Sequence, residues 1–184
     1  MRARLLALAI VLGCGHSAAP PAVSELSSRS VSAPAQLGWV SSLAPSGDLP
    51  SAIALGGKAS GRVLVYLEFP PEGDPKRLVR AELLLDTLPG ADIVEVELSR
   101  AEAARGELRN WSDQPRARYP RLSARLASSS VPQRLDVTEL VRAQSKPDEP
   151  LRFLLRAEPG DGAPVLLQTG AAGGVAPKLE QYWE

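Results

Sequence analysis

Histidine and cysteine are almost missing from this 184-residue sequence, which has one of each, Cys14 and His16, both at its extreme N-terminus. A disulfide within the chain is therefore excluded. Past those residues the same scarcity excludes zinc held by His and Cys, a Ser-His-Asp triad and a Cys-His pair. The chemistry left is that of carboxylates, hydroxyls, Lys, Arg and Tyr. Net charge is missing as well, with 21 Lys+Arg against 21 Asp+Glu. Global electrostatics thus offers nothing to draw the chain to nucleic acid, and no such partner is expected. Long apolar runs are absent: the longest at the N-terminus is the eight residues from Leu5 to Leu12, too short to cross a hydrocarbon layer of ~30 Å as a helix.

What is there begins with that run. Arg2 and Arg4 precede it, and a short basic start before a short apolar core is how a signal peptide is written. Val11, Leu12, Gly13 and Cys14 follow, and they resemble the bacterial lipobox, in which a cysteine receives diacylglyceride and becomes the new N-terminus. The resemblance implies a signal peptide over residues 1–13, lipidation at Cys14 and a membrane partner through that lipid. An ordinary secretory cut near Ala18 and Ala19 is the alternative, and on either reading the protein is exported. Gly15 rather than Asp after the cysteine favours the outer membrane by resemblance to enterobacterial sorting. Residues 14–34 are rich in Ser, Ala and Pro without an apolar period, and they read as a flexible tether.

From residue 35 to 184 the pattern changes. Val63, Val65, Leu67 and Phe69 alternate with Arg62, Leu64, Tyr66 and Glu68, and a Pro-Gly-Asp turn follows at 70–75. Alternation recurs over 79–86, 93–98, 151–157 and 178–183, and the turn at 159–164 makes a hairpin of 151–157 with 165–168. Two stretches read as helical. One is 99–109, rich in Ala, Glu and Arg; the other is 136–144, where Asp136 or Thr138 caps a short turn and Val137, Leu140 and Val141 face inward. About eight strands with no βαβ alternation predict an all-β fold, a two-sheet antiparallel sandwich of jelly-roll type with one or two short helical turns.

The order of segments resembles the DNRLRE domain family, a set of extracellular β-sandwiches related to polysaccharide-binding modules. The resemblance covers residues 35–184. It is carried by 35–42 and 51–56, which resemble the family's first strand, open loop and second strand, by the strand from Gly61 to Phe69, by the strand from Val79 to Leu85, by the loop Asn110, Trp111, Ser112, Asp113, Gln114, Pro115 and, most specifically, by Leu135, Asp136, Val137, Thr138, Glu139, Leu140, Val141. The polar run before the last strand departs from the family, being replaced by Thr169 and a Gly- and Ala-rich stretch.

One segment invites a ligand. Between positions 100 and 125 there are seven arginines, Arg100, Arg105, Arg109, Arg116, Arg118, Arg121 and Arg125, against the three acids Glu102, Glu107 and Asp113. Guanidinium forks match carboxylate or sulfate oxygens in pairs, and an indole offers a flat face to a sugar ring. Trp111, Arg109, Arg116, Arg118 and Tyr119 are therefore the candidate ligand-binding residues, for an anionic polysaccharide. The competing account buries Trp111 under its own loop. Asp136 is more simply a cap than a cation ligand, and Gly160, Asp161, Gly162 make a turn, since Pro159, Ala163 and Pro164 bring no oxygen side chains for calcium. Glu95 with Glu97, or Glu68 with Glu72, would need a separation of ~5–9 Å across a cleft for glycosidic acid–base work.

No catalytic set emerges, and no metal or cofactor is expected. The sequence predicts a non-catalytic cell-envelope lipoprotein whose β-sandwich binds or organises extracellular polysaccharide. The alternative is a structural or assembly lipoprotein that contacts another envelope protein and has no sugar site.

Overall fold

A strand that carries Val63, Val65, Leu67 and Phe69 on one side needs a second apolar surface to face, and an opposing sheet supplies it. The computed structural model describes residues 28–184 apart from Ala44 and Ser145, so the expected signal peptide, Cys14 and the first two thirds of the expected tether lie outside the described residues. The described strands are β1 (Ser28–Ser32), β2 (Gln36–Ser41), β3 (Ala52–Leu55), β4 (Val63–Phe69), β5 (Leu78–Leu85), β6 (Ile93–Ala101), β7 (Ala117–Ala127), β8 (Gln133–Asp136), β9 (Leu151–Ala157), β10 (Val165–Gln168) and β11 (Lys178–Trp183). Every pairing between them is antiparallel.

One sheet has the order β1-β11-β5-β8 and the other β2-β4-β9-β6-β7. From β4 onward the chain passes repeatedly between them, β5, β8 and β11 falling in the first sheet and β4, β6, β7 and β9 in the second. That path is a jelly roll, and the all-β two-sheet sandwich predicted from alternation is what the protein forms. A short β10–β3 ribbon joins the first sheet just past β5, where Gln168 N–H donates to the Asp86 carbonyl (2.8 Å) and Leu88 N–H to the Leu166 carbonyl (2.9 Å).

The core fills the space between the sheets. Leu67, Phe69, Phe153 and Leu155 face Leu83, Leu85, Leu179 and Trp183, and the rings of Phe69 and Phe153 meet edge-on with centroids 6.0 Å apart. Each such side chain contributes about 1.5–3 kcal/mol by leaving water. The predicted turn over 136–144 is helix α1 (Thr138–Arg142), which closes one end by burying Leu140 and Val141 beside Val137. Val137 occupies the N-cap position, and Asp136 just before it serves the helix start: its Oδ1 accepts from Thr138 N–H (2.9 Å) and from the Thr138 hydroxyl (2.6 Å).

Three readings of the sequence are corrected. Residues 28–32 belong to the sheet, not the tether, because a backbone ladder to β11 needs no apolar side chains and so leaves no alternation to see. Residues 99–109 are not helical. Ser99, Arg100 and Ala101 continue β6 against β7, and the chain then runs irregularly through Gly106, held at φ 145°, where any other residue is strained. Pairing with β7 overrides the helix propensity of the Ala, Glu and Arg residues. Third, the strands number eleven among the described residues, not about eight. β1, β7 and β8 are the additions; β7 was read as an arginine-rich segment although Leu122, Ala124 and Leu126 alternate within it.

Candidate functional site

β4 and β9 carry apolar side chains on their outer faces as well as toward the core, set between the charged Glu68, Arg152 and Arg156, and the β6–β7 loop is the reason. Leu64, Tyr66 and Leu154 point away from the sandwich core, with Val40 beside them, and all four are buried under Ala104, Leu108 and Trp111. Residues 102–116 thus form a roof over the outer face of the five-stranded sheet. Hydrogen bonds pin it at several points. The Ser46 hydroxyl donates to the Leu108 carbonyl (2.7 Å) and Ser46 N–H to the Arg109 carbonyl (2.8 Å). The Asp113 carboxylate accepts from Asn110 N–H (2.8 Å) and Arg109 N–H (3.2 Å), bonds that hold its pKa below the ordinary 3.8. A 3-10 turn, Trp111–Asp113, results.

Trp111 is accordingly a half-buried peg of the roof, and its indole packs on the sheet. The ring packs against Leu64, Tyr66 and Leu154 and stays partly exposed. Arg109 and Arg116, by contrast, come together on the outside of the roof. They line a groove of about 660 Å³ with Arg105, Ser112, Asp113 and Gln114. Arg118 and Tyr119 stand just beyond, where the chain enters β7, and Glu102 N–H donates to the Arg116 carbonyl (3.0 Å) to join the two ends of the loop.

The arginines are not equivalent. Arg109 bonds Glu107 (Nε–Oε2 2.8 Å), Arg118 pairs with Glu102 (3.1 Å), Arg121 with Glu97 (3.3 Å) and Arg125 with Glu95 (3.1 Å). Glu95 and Glu97 come from β6, outside the counted segment, so the local excess of positive charge falls from four to two. Arg100 is turned inward and donates to the Ala143 carbonyl; burial, then the charge of Arg118, pushes its pKa down. Arg105 and Arg116 remain exposed with no ion-pair partner among the described residues. Tyr119 is 78% exposed, and the Arg121 guanidinium lies 5.1 Å from its ring centroid.

Of the four carboxylates considered for acid–base work, Glu95 and Glu97 are held by Arg125 and Arg121 and Glu68 by Tyr66 and Arg152, while Glu72 has a buried Oε2 with no hydrogen-bond partner among the described residues. Glu68 accepts from the Tyr66 hydroxyl (2.6 Å) and from Arg152 Nε (2.7 Å); burial raises its pKa, but these bonds win and leave it lowered. The same burial and hydrogen bond push Tyr66 up to about 12, so it is a proton donor fixed on Glu68 and no base. Asp161 pairs with Lys58 (3.1 Å) at an exposed turn, and among the described residues no group of three His, Cys, Asp or Glu side chains is placed to hold a metal ion. Arg105 is the groove residue that the candidate set lacked. Nothing local marks it, since Glu102 and Glu107 lie three and two residues from Arg105 yet pair with Arg118 and Arg109.

No family model matches this chain, and no curated protein matches it.

Proposed function

We propose that this chain is an exported lipoprotein, anchored through Cys14, whose jelly roll binds an anionic polysaccharide in the groove outside the 102–116 roof and does no chemistry on it. The observation that supports this reading is the pair of guanidiniums, Arg105 and Arg116, that line one groove without ion-pair partners among the described residues. Uncompensated guanidiniums recognise uronate or sulfate oxygens through paired N–H donors. Tyr119, exposed near them and stacked by Arg121, offers a face for a sugar ring in place of the half-buried Trp111. The segment order that resembles the DNRLRE family points the same way, toward an envelope sandwich related to polysaccharide-binding modules.

Affinity electrophoresis of the unlipidated Cys14→Ser chain through gels containing polygalacturonate or dextran tests the binding. Retardation is expected in the charged polymer alone, weaker at high salt, and lost in an Arg105→Ala, Arg116→Ala variant. Equal mobility in both gels would favour the other reading, an assembly lipoprotein that contacts an envelope protein. For the anchor, Cys14→Ser is expected to move the protein from the membrane fraction to the soluble one; sedimentation with membranes despite the substitution would contradict it.

A further inference from the structure

β1 is built unlike every other strand of the sandwich. It pairs along its whole length with β11, Ser28 opposite Trp183, Ser30 opposite Gln181 and Ser32 opposite Leu179. Leu179 and Trp183 are core residues, so the side of β1 that turns inward carries three serines. No β1 residue joins the apolar core, and Val31, its one large apolar side chain, points outward and is 49% exposed. The Ser30 and Ser32 hydroxyls are buried without a hydrogen-bond partner, and fully buried Gln181 leaves both amide atoms unpartnered directly across from Ser30. Buried polar atoms that make no hydrogen bond oppose the docking that buries them. The side-chain ties across the pair are those of Arg29, whose Nη2 meets Glu180 Oε1 at 2.6 Å and whose guanidinium lies 6.0 Å from the Tyr182 ring centroid.

The connection to the rest of the fold is equally distinctive. Only Ala33, Pro34 and Ala35 separate β1 from β2, which lies in the opposite sheet, and Ala35 N–H is fixed to the Glu68 carbonyl (2.7 Å). Proline holds its own φ and biases Ala33 toward extended backbone, so an arm released from β11 stays extended.

We propose that β1 is an exchangeable strand: it leaves β11, and β1 of a second copy takes its place in the same register, joining two chains reciprocally through their N-terminal strands. A second copy is the occupant that the edge fits without alteration. Its serines are small enough for the inner positions beside Gln181, its Arg29 meets Glu180, and its proline hinge presents the arm extended. Weak docking and a short hinge are the conditions under which swapping costs least.

The test uses two single-cysteine proteins in the Cys14→Ser background, Ser30→Cys and Gln181→Cys, mixed over a range of concentrations and mildly oxidised. Gln181 is covered by its own β1, so a disulfide between the two proteins forms only when one copy's β1 lies on the other's β11. The expected result is a linked pair that increases with concentration, with the joining peptide identified by mass spectrometry. The double variant Ser30→Cys, Gln181→Cys, oxidised when dilute, should close its disulfide within one chain, which checks the register and the fold together. An internal bond in the double variant with no linked pair from the mixture at any concentration overturns exchange. Failure of the double variant to close overturns the pairing on which it rests.

Discussion

The outer face of the five-stranded sheet is roofed by residues 102–116, which seal Leu64, Tyr66 and Leu154 beneath Leu108 and Trp111. The outer face of the four-stranded sheet is covered by charge. There Glu82 and Glu180 are buried under Arg29, Arg80 and Arg134, with Arg134 Nη1 bridging the two carboxylates at 2.7 and 2.9 Å. An apolar roof holds a long loop in one arrangement, so the side chains on its far side keep fixed positions. A ladder of guanidiniums and carboxylates holds no loop, and its contribution depends on pH and salt. The groove proposed to bind is on the roofed side.

The largest way to break this contrast is to hollow the roofed face. Leu154→Ala should cost roughly 2–5 kcal/mol by chemical denaturation, the range for truncating a fully buried leucine. It should also weaken polymer binding, because the loop that carries Arg105 and Arg116 loses what it rests on. If binding is untouched while stability falls, the roof does not position the groove.

The charged face is tested by acid. Burial pushes the Glu180 carboxyl up, but hydrogen bonds from Arg134, Arg29 and Tyr182 more than reverse this and hold it at about 2 against an ordinary 4.5. A carboxyl depressed in the folded state stabilises above its unfolded pKa, and that stabilisation is lost as pH falls from about 4.5 toward 2. Acid unfolding should therefore steepen in that window. Arg134→Met, which leaves Glu180 to Arg29 and Glu82 to Arg80, should move the midpoint to higher pH; an unchanged midpoint would show the ladder to be ornamental.

Smaller effects sharpen the comparison. Gln181→Leu removes two unpartnered buried atoms at similar volume and should stabilise the fold by about 1 kcal/mol; destabilisation would mean that the amide is satisfied in solution. Tyr119→Ala should change stability by less than about 0.5 kcal/mol, as for other exposed sites, while reducing binding of the charged polymer.

The sandwich was legible in the sequence because alternation in β4, β6 and β9 states which side is buried, and 136–141 announces its own turn. β7 carries the same alternation in Leu122, Ala124 and Leu126, but it is a sheet edge in which Leu126 alone is fully buried, so its apolar signal is weak beside its three arginines. The roof was not legible. Leu64, Tyr66 and Leu154 read as the outward side of their strands, and nothing local says that a loop from elsewhere will cover them. The charge state of the site was hidden for the same reason, since Glu95 and Glu97 reach Arg125 and Arg121 only through strand pairing. A count along the chain sees neighbours in sequence; ion pairs in a sheet are neighbours across it.

The most direct test of the account follows the arginine and tyrosine side-chain resonances of the Cys14→Ser chain by NMR during titration with oligogalacturonate. Binding in the groove predicts saturable shifts at Arg105 and Arg116 Nε–H and at the Tyr119 ring, with the Trp111 indole and the ladder arginine Arg134 unmoved. Shifts confined to Arg29, Arg80 and Arg134, or none at any arginine, would contradict it.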